Sequence, residues 1–266
     1  MARSMRDKRI LITGASSGIG LELARQLAAK GSRLALGGRD EARLNELASE
    51  IRSKGGEAHV VSGDLSDPNV PSQVIEKTVA ELGGLDGLIN NAGLGTWNHF
   101  ADGTEENLRY IFEVNFFAAS ELMRLAVPSL IRGNQPVIMN VTSMTGRRAM
   151  PSWPEYSASK HALVGLTEAL RAEYHRFGID VLMVLPGLTA SSFFDRVLQK
   201  TGKANLGFDK GLKPGVPAAK IIRAMERNTR ETWIGSEAWK MLWMHRLLPR
   251  MVDSLVSRGV KKLWAN

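Results

Sequence analysis

Short apolar runs alternate with longer amphipathic stretches along most of the chain, and no other feature of the sequence narrows the possible folds as much. A run that is apolar throughout, bounded by turn residues and too short for a helix reads as a strand covered on both faces. The stretches between have room for crossover helices, which makes the strands parallel and the fold class α/β. Strands are expected near Arg9 to Thr13, Arg33 to Leu36, Glu57 to Ser62, Leu85 to Asn90, Pro136 to Thr142, Ile179 to Leu185 and Glu231 to Ile234. Between them Leu21, Ala24, Leu27 and Ala28 recur at one-face helical spacing, as do Leu44, Leu47, Ala48 and Ile51. Right-handed crossovers would wind helices onto both faces of a doubly wound parallel sheet of about seven strands. Every strand's carboxyl end then reaches one edge, where open sheets of this kind bind ligands.

A chain of 266 residues with this pattern is expected to be one domain. Its 44% hydrophobic and 23% charged residues suit a packed core and argue against disorder. The absence of cysteine excludes disulfides, thiolate nucleophiles and cysteine-ligated metals, and it fits a reducing compartment. His99, His161 and His175 are not grouped with acids and read as surface or packing residues, so no metal site is expected. The start of the chain is basic but carries no apolar run of signal-peptide length, and no stretch of about 18 apolar residues follows. The expectation is a cytoplasmic protein without a membrane span. A formal charge of +8 would suit an anionic partner, but Lys and Arg are scattered and no nucleic-acid motif accompanies them. Nucleic acid is therefore not an expected partner.

The first strand is followed by Gly14, Ser16, Ser17, Gly18, Ile19 and Gly20, and then directly by a helical segment. Gly14 permits a sharp turn, while Gly18 and Gly20 let backbone approach a pyrophosphate and helix pack on strand. The helix start then presents free N–H groups to the phosphates of a dinucleotide. Where the second strand ends, the residue meeting the adenosine ribose is commonly an acid if a free 2′-hydroxyl is bound; here Gly38 and Arg39 stand there. A guanidinium suits a 2′-phosphate by charge and by its planar donor fork, which favours NADP. Asp40 keeps NAD as the alternative, and Arg39 paired with Glu41 or Glu46 would be an ordinary surface arginine. Asp64 and Leu65 close the third strand and Asn90, Asn91, Ala92 and Gly93 the fourth, at the same edge. Asp64 there either caps adenine or caps a helix, and the asparagines either serve the site or only turn the chain.

The fifth strand delivers Ser143, Tyr156 follows thirteen residues later, and Lys160 lies at i+4 from it. That spacing places Tyr156 and Lys160 on one helix face. A phenol near pKa 10 is a weak acid or base at neutral pH, and a neighbouring ammonium favours its ionised form. With the glycine turn, Asn91-Ala92-Gly93, Asn115, Ser143 and the run Tyr156-Ser157-Ala158-Ser159-Lys160 in order, the sequence resembles the short-chain dehydrogenase/reductase family from about residue 9 to about 235.

The resemblance implies a Rossmann-type fold and an oxidoreductase that interconverts a carbonyl and an alcohol, with NADP the cofactor on the Arg39 reading. It implies that Tyr156 exchanges a proton with the substrate oxygen, that Ser143 hydrogen-bonds that oxygen, and that Lys160 holds the nicotinamide ribose. It further assigns Asn115 to a helix irregularity and a proton-relaying water, and Pro186, Gly187 and Thr189 to the nicotinamide amide. A homodimer or homotetramer is implied too, with the helix containing Asn107 to Asn115 and the one following Tyr156 at the interface. A cofactor-binding regulator of low turnover is the rival reading, and intact Ser143, Tyr156 and Lys160 favour the enzyme.

The family fold would bring Leu94, Trp97, Met144, Met150, Trp153, Leu188, Phe193 and Phe194 near the reacting carbon, and Leu94, Met150, Trp153 and Phe193 with Ser143 are the candidate substrate residues. Such an apolar slot suits a hydrophobic ketone or aldehyde of lipid, retinoid or steroid type. The glycine-rich segment 188–217, with Gly207 inside it, is expected to be a flap over the site. Reductases of 3-oxoacyl carriers in this family usually end on an Asp-Gly-Gly turn, whereas Trp233-Ile234-Gly235-Ser236 leads here into another tail, which weighs against that substrate. Residues 1–236 are thus expected to form the dinucleotide-binding catalytic domain and residues 237–266 an amphipathic helical tail, broken at Pro249. The tail is expected to dock onto protein, with peripheral membrane contact as the alternative.

Overall fold

The computed structural model describes residues 2–203 and 211–264, and within them the seven apolar runs are seven strands of one sheet. In chain order the elements are β1 (Arg9–Thr13), α1 (Gly18–Ala29), β2 (Arg33–Gly38), α2 (Glu41–Ser53), β3 (Glu57–Ser62), α3 (Val70–Leu82), β4 (Gly87–Asn90) and α4 (Glu105–Phe112). There follow α5 (Ala118–Leu130), β5 (Val137–Val141), α6 (Pro154–Tyr174), β6 (Asp180–Pro186), α7 (Gly215–Arg227), β7 (Glu231–Ile234), α8 (Ser236–Leu247) and α9 (Pro249–Trp264). A π-helical turn, Glu113–Phe117, joins α4 to α5. The strand order is β3-β2-β1-β4-β5-β6-β7 with every neighbouring pair parallel.

The inner strands are largely apolar because each feeds two cores, whereas the edge strands β3 and β7 keep the polar Glu57, His59 and Glu231. Ile10 and Ile12 of β1 face the core built with α1, α2 and α7, whereas Leu11 between them faces the one built with α3, α5 and α6. In β5, Met139 and Ile138 divide in the same way. This is the period-two alternation of a strand with apolar material on both sides.

The order of the strands reverses between β1 and β4, and the crevice beyond their carboxyl ends is the place where such sheets bind ligands. The segment expected as a flap is shorter than expected, because α7 begins at Gly215 and takes in Pro217; proline is tolerated in a first turn, where no intrahelical N–H bond is lost. Its described part carries a short 3₁₀ turn, Phe194–Arg196, and bridge pairs Trp97 with Lys200 and Thr189 with Leu212. Gly207 lies outside the described residues.

Candidate active site

A cavity of about 1120 Å³ opens at the carboxyl edge and runs from the glycine turn to the start of α6. Gly14 and Gly18 have φ of +66° and +56°, values that disfavour any side chain. A Cβ on Gly14 would lie 2.9 Å from Ala92 Cα, so the turn packs closely on the end of β4. Asn91 Nδ2 donates to the Thr13 and Gly14 carbonyls at 2.9 and 3.2 Å, and the Asn91 and Ala92 N–H groups both donate to Thr13 Oγ1 at 3.0 Å. The asparagine therefore ties β4 to the turn. Gly20 does not line the cavity: a Cβ there would meet the Gly14 carbonyl oxygen at 2.2 Å, so it seats α1 against the turn. Ser16, Ser17, Gly18 and Ile19 do line it, and Ser17 makes no side-chain cap on α1, leaving the first N–H groups of that helix without a hydroxyl partner.

Arg39 lines the same end and pairs with neither Glu41 nor Glu46. Its guanidinium donates to the Tyr110 hydroxyl at 2.7 Å and lies 3.8 Å from Asp64. Asp40 is the N-cap of α2, accepting from the Arg43 N–H at 3.1 Å. Asp64 caps no helix; its Oδ1 accepts from the Ser66 N–H at 3.0 Å in a local turn. Two further arginines join this corner, and the sequence reading missed both. Arg43 lies at i+4 from Arg39 and lines the cavity, and Arg196 comes from the segment after β6 and donates to Ser17 Oγ. Burial and then the charges of Arg43 and Arg39 lower the pKa of Arg196. Arg43 had one local signal, its helical spacing from Arg39; Arg196, 157 residues beyond Arg39, had none.

At the other end of the cavity, β5 hands its chain to Ser143, which is buried in extended conformation and accepts from the Thr145 N–H at 3.1 Å. Its hydroxyl lies beside that of Tyr156, close enough to favour the ionised phenol. Tyr156 and Lys160 share one face of α6, with the ammonium 5.7 Å from the ring centroid. Burial pushes the Tyr156 hydroxyl up to about 12, with the Ser143 hydroxyl opposing, and pulls Lys160 down to about 8. Burial therefore outweighs any pull of the ammonium on the phenol here. Both groups lose hydration in the same apolar corner, and Lys160 Nζ spends a hydrogen bond on the Val141 carbonyl at 3.1 Å.

Asn115 sits inside the π-helical turn and does not line the cavity. Its Oδ1 accepts from the Leu94 N–H at 2.9 Å, and its Nδ2 donates to the Leu94 carbonyl at 2.8 Å and to Ser159 Oγ at 3.0 Å. Gly93 leaves the gap where these groups meet, because a Cβ there would lie 3.2 Å from Asn115 Oδ1 and 3.3 Å from Lys160 Nζ. Pro186, Gly187 and Thr189 form the far wall, together with Leu65, Asn91 and Ala92 at the near one. Leu94, Met144, Met150, Trp153, Leu188 and Phe193 supply the apolar lining beside Tyr156, with the Tyr156 and Phe193 rings 5.5 Å apart. Trp97 and Phe194, expected there too, instead pack edge to face on each other at 5.2 Å and do not line the cavity. Among the described residues no cluster of His, Asp and Glu could hold a metal.

A glycine turn at the strand-order reversal, and a serine, a tyrosine and a lysine gathered at one cavity end, are the marks of an oxidoreductase of the doubly wound class. The model of the short chain dehydrogenase family matches residues 8–202, and the chain belongs to that family. An uncharacterized oxidoreductase of Bacillus subtilis is 31% identical over 260 residues, covering 96% of this chain and 73% of its own. Dehydrogenase/reductase SDR family member 7B of Xenopus laevis is 31% identical over 264 residues, covering 95% and 82%. Among solved structures, a Burkholderia phymatum short chain dehydrogenase/reductase in complex with NAD superposes with a TM-score of 0.85 at 22% identity, over 94% of this chain and 96% of that one. A Burkholderia cenocepacia short chain dehydrogenase in complex with NADP gives 0.77 at 26% identity, over 87% and 97%.

Proposed function

We propose that the protein is an NADP(H)-dependent oxidoreductase that reduces a hydrophobic ketone or aldehyde, or oxidises the matching alcohol, with Tyr156 as its general acid or base. The observation that carries this reading is the juxtaposition of Ser143, Tyr156 and Lys160 at the apolar end of a cavity whose other end holds Arg39, Arg43 and Arg196. The residues fit a dinucleotide. The glycine turn leaves backbone open to a pyrophosphate, the three guanidiniums suit a 2′-phosphate, and the volume exceeds the roughly 300–1,000 Å³ of ordinary small-molecule sites. When bound, the nicotinamide supplies or accepts the hydride.

The chain's own residues handle the proton and the oxygen. A Tyr156 held at about 12 keeps its proton at neutral pH, as a donor must. Ser143 would hydrogen-bond the substrate oxygen and stabilise the charge that grows on it. As the proton leaves Tyr156, the Lys160 ammonium, charged below about pH 8, attracts the forming phenolate. Trp153, Phe193, Met150 and Leu94 keep water from the reacting carbon and favour apolar substrates. Cytoplasmic location and a homodimer or homotetramer belong to the same reading; Phe117, exposed where the π-helical turn meets α5, supports self-association.

The test is NADPH and NADH oxidation against a panel of apolar ketones, aldehydes and sugars. Turnover of apolar carbonyls with NADPH is expected, falling by about 10²–10⁴-fold in Tyr156→Phe while NADPH binding persists. Preference for sugars would overturn the substrate class, and an unimpaired Tyr156→Phe would overturn the mechanism.

A further inference from the structure

Over α8 and α9 the chain carries six cations, Lys240, Arg246, Arg250, Arg258, Lys261 and Lys262, and two acids, Glu237 at the start of α8 and, on α9, Asp253. Asp253, though exposed, is already paired: Arg148 donates to it at 2.8 Å and thereby holds α9 beside the loop that lines the cavity at Met150. The inner face of α9 is Val252, buried, with Val256 and Val260 half-buried one and two turns on. The tail is therefore docked on the protein, but only by that face. Outward along α9, at i, i+4, i+7 and i+11, lie Met251, Leu255, Arg258 and Lys262, all exposed.

On α8 the exposed line is Trp239, Trp243, Arg246 and Leu247, with the two indoles 6.0 Å apart and the Arg246 guanidinium 5.8 Å from the Trp243 ring. Leu247 is 70% exposed and Trp239 52%, and Leu248 and Met251 continue the patch onto α9. A contiguous apolar patch of this kind in water marks a partner surface. Its cations say which: two copies related by a twofold axis would bring six positive charges against six, whereas an anionic lipid surface pairs with them while tryptophan and leucine enter the interface.

We propose that α8 and α9 form a docking face for an anionic phospholipid surface. Both helices are too short and too polar to cross a bilayer, and no described helix is long and apolar enough to do so. The protein would lie on the membrane, with α8 leaving the cavity wall at Gly235 and the substrate end of the cavity close to the lipid.

Co-sedimentation of the full chain with vesicles tests this without any turnover, so its failure leaves the catalytic reading untouched. Binding to phosphatidylcholine containing about 30% phosphatidylserine is expected to be at least about tenfold tighter than to phosphatidylcholine alone, and to be released by about 0.5 M salt. The pairs Trp243→Ser with Leu247→Ser, and Lys261→Glu with Lys262→Glu, should each lose about tenfold or more in binding, with circular dichroism and turnover in buffer unchanged. Equal binding to both vesicle types, binding to neither, or unaffected variants would overturn the proposal. So would an oligomer in analytical ultracentrifugation that the Trp243→Ser, Leu247→Ser pair reduces in mass, since that assigns the face to a second copy.

Discussion

Ser143, Tyr156 and Lys160 illustrate how burial, rather than charge, sets the resting chemistry of a side chain. The phenol and the amine are both shifted towards their neutral forms, which keeps a proton on Tyr156 and leaves Lys160 close to its midpoint slightly above neutrality. Arg39 shows the opposite situation, an exposed cation whose partners are a phenol and a carboxylate at 3.8 Å. Arg39→Ala is expected to weaken NADPH by about 10–100-fold, the worth of one or two charge-assisted hydrogen bonds, and to change NADH little. Fluorescence titration with both coenzymes measures this, and equal losses would refute the phosphate assignment.

At the scale of elements, the inner strands were legible because a parallel strand buried on both faces must be largely apolar, while the edge strands β3 and β7 tolerate Glu57, His59 and Glu231. The interruption between α4 and α5 depends on more than local pattern. The π-helical turn exposes Asn115 to Leu94, from the loop after β4, and to Ser159 on α6, so one side chain couples three elements around the site. Asn115→Ala would leave the buried Leu94 N–H and carbonyl without these partners, at a cost of about 2–4 kcal/mol. Urea unfolding should show that loss together with reduced turnover; an unchanged midpoint would mean that the turn holds without its asparagine.

Across the whole molecule, stability and chemistry occupy opposite edges of the sheet. At the amino edge Arg9 donates to both oxygens of Asp86, at 2.9 and 2.8 Å, and the Asn134 N–H adds a bond at 2.7 Å. Burial alone would raise the Asp86 carboxyl, yet these hydrogen bonds outweigh it and hold the group at about 2. A carboxyl depressed on folding stabilises the protein above its unfolded pKa, near 4, and that contribution disappears as pH falls through about 2. Asp86→Asn should therefore lower stability by roughly 2 kcal/mol at pH 7, and the gap to the unsubstituted protein should narrow between pH 4 and pH 2. Denaturant melts at pH 7 and 2.5 test the sign, and a gap that widened in acid would contradict it.

The alternation of apolar runs determined the sheet and its ligand edge, and the spacings around Gly14, Ser143, Tyr156 and Lys160 determined which residues would meet there. These are local properties, carried by strand and helix periods within a few residues. Only the tertiary structure brought Arg196 to Ser17, packed Trp97 against Phe194 rather than on the cavity wall, and left Trp239 and Leu247 facing water while Val252 was buried. Those outcomes depend on how distant segments pack, and the period of a single helix does not record what its outer face will meet.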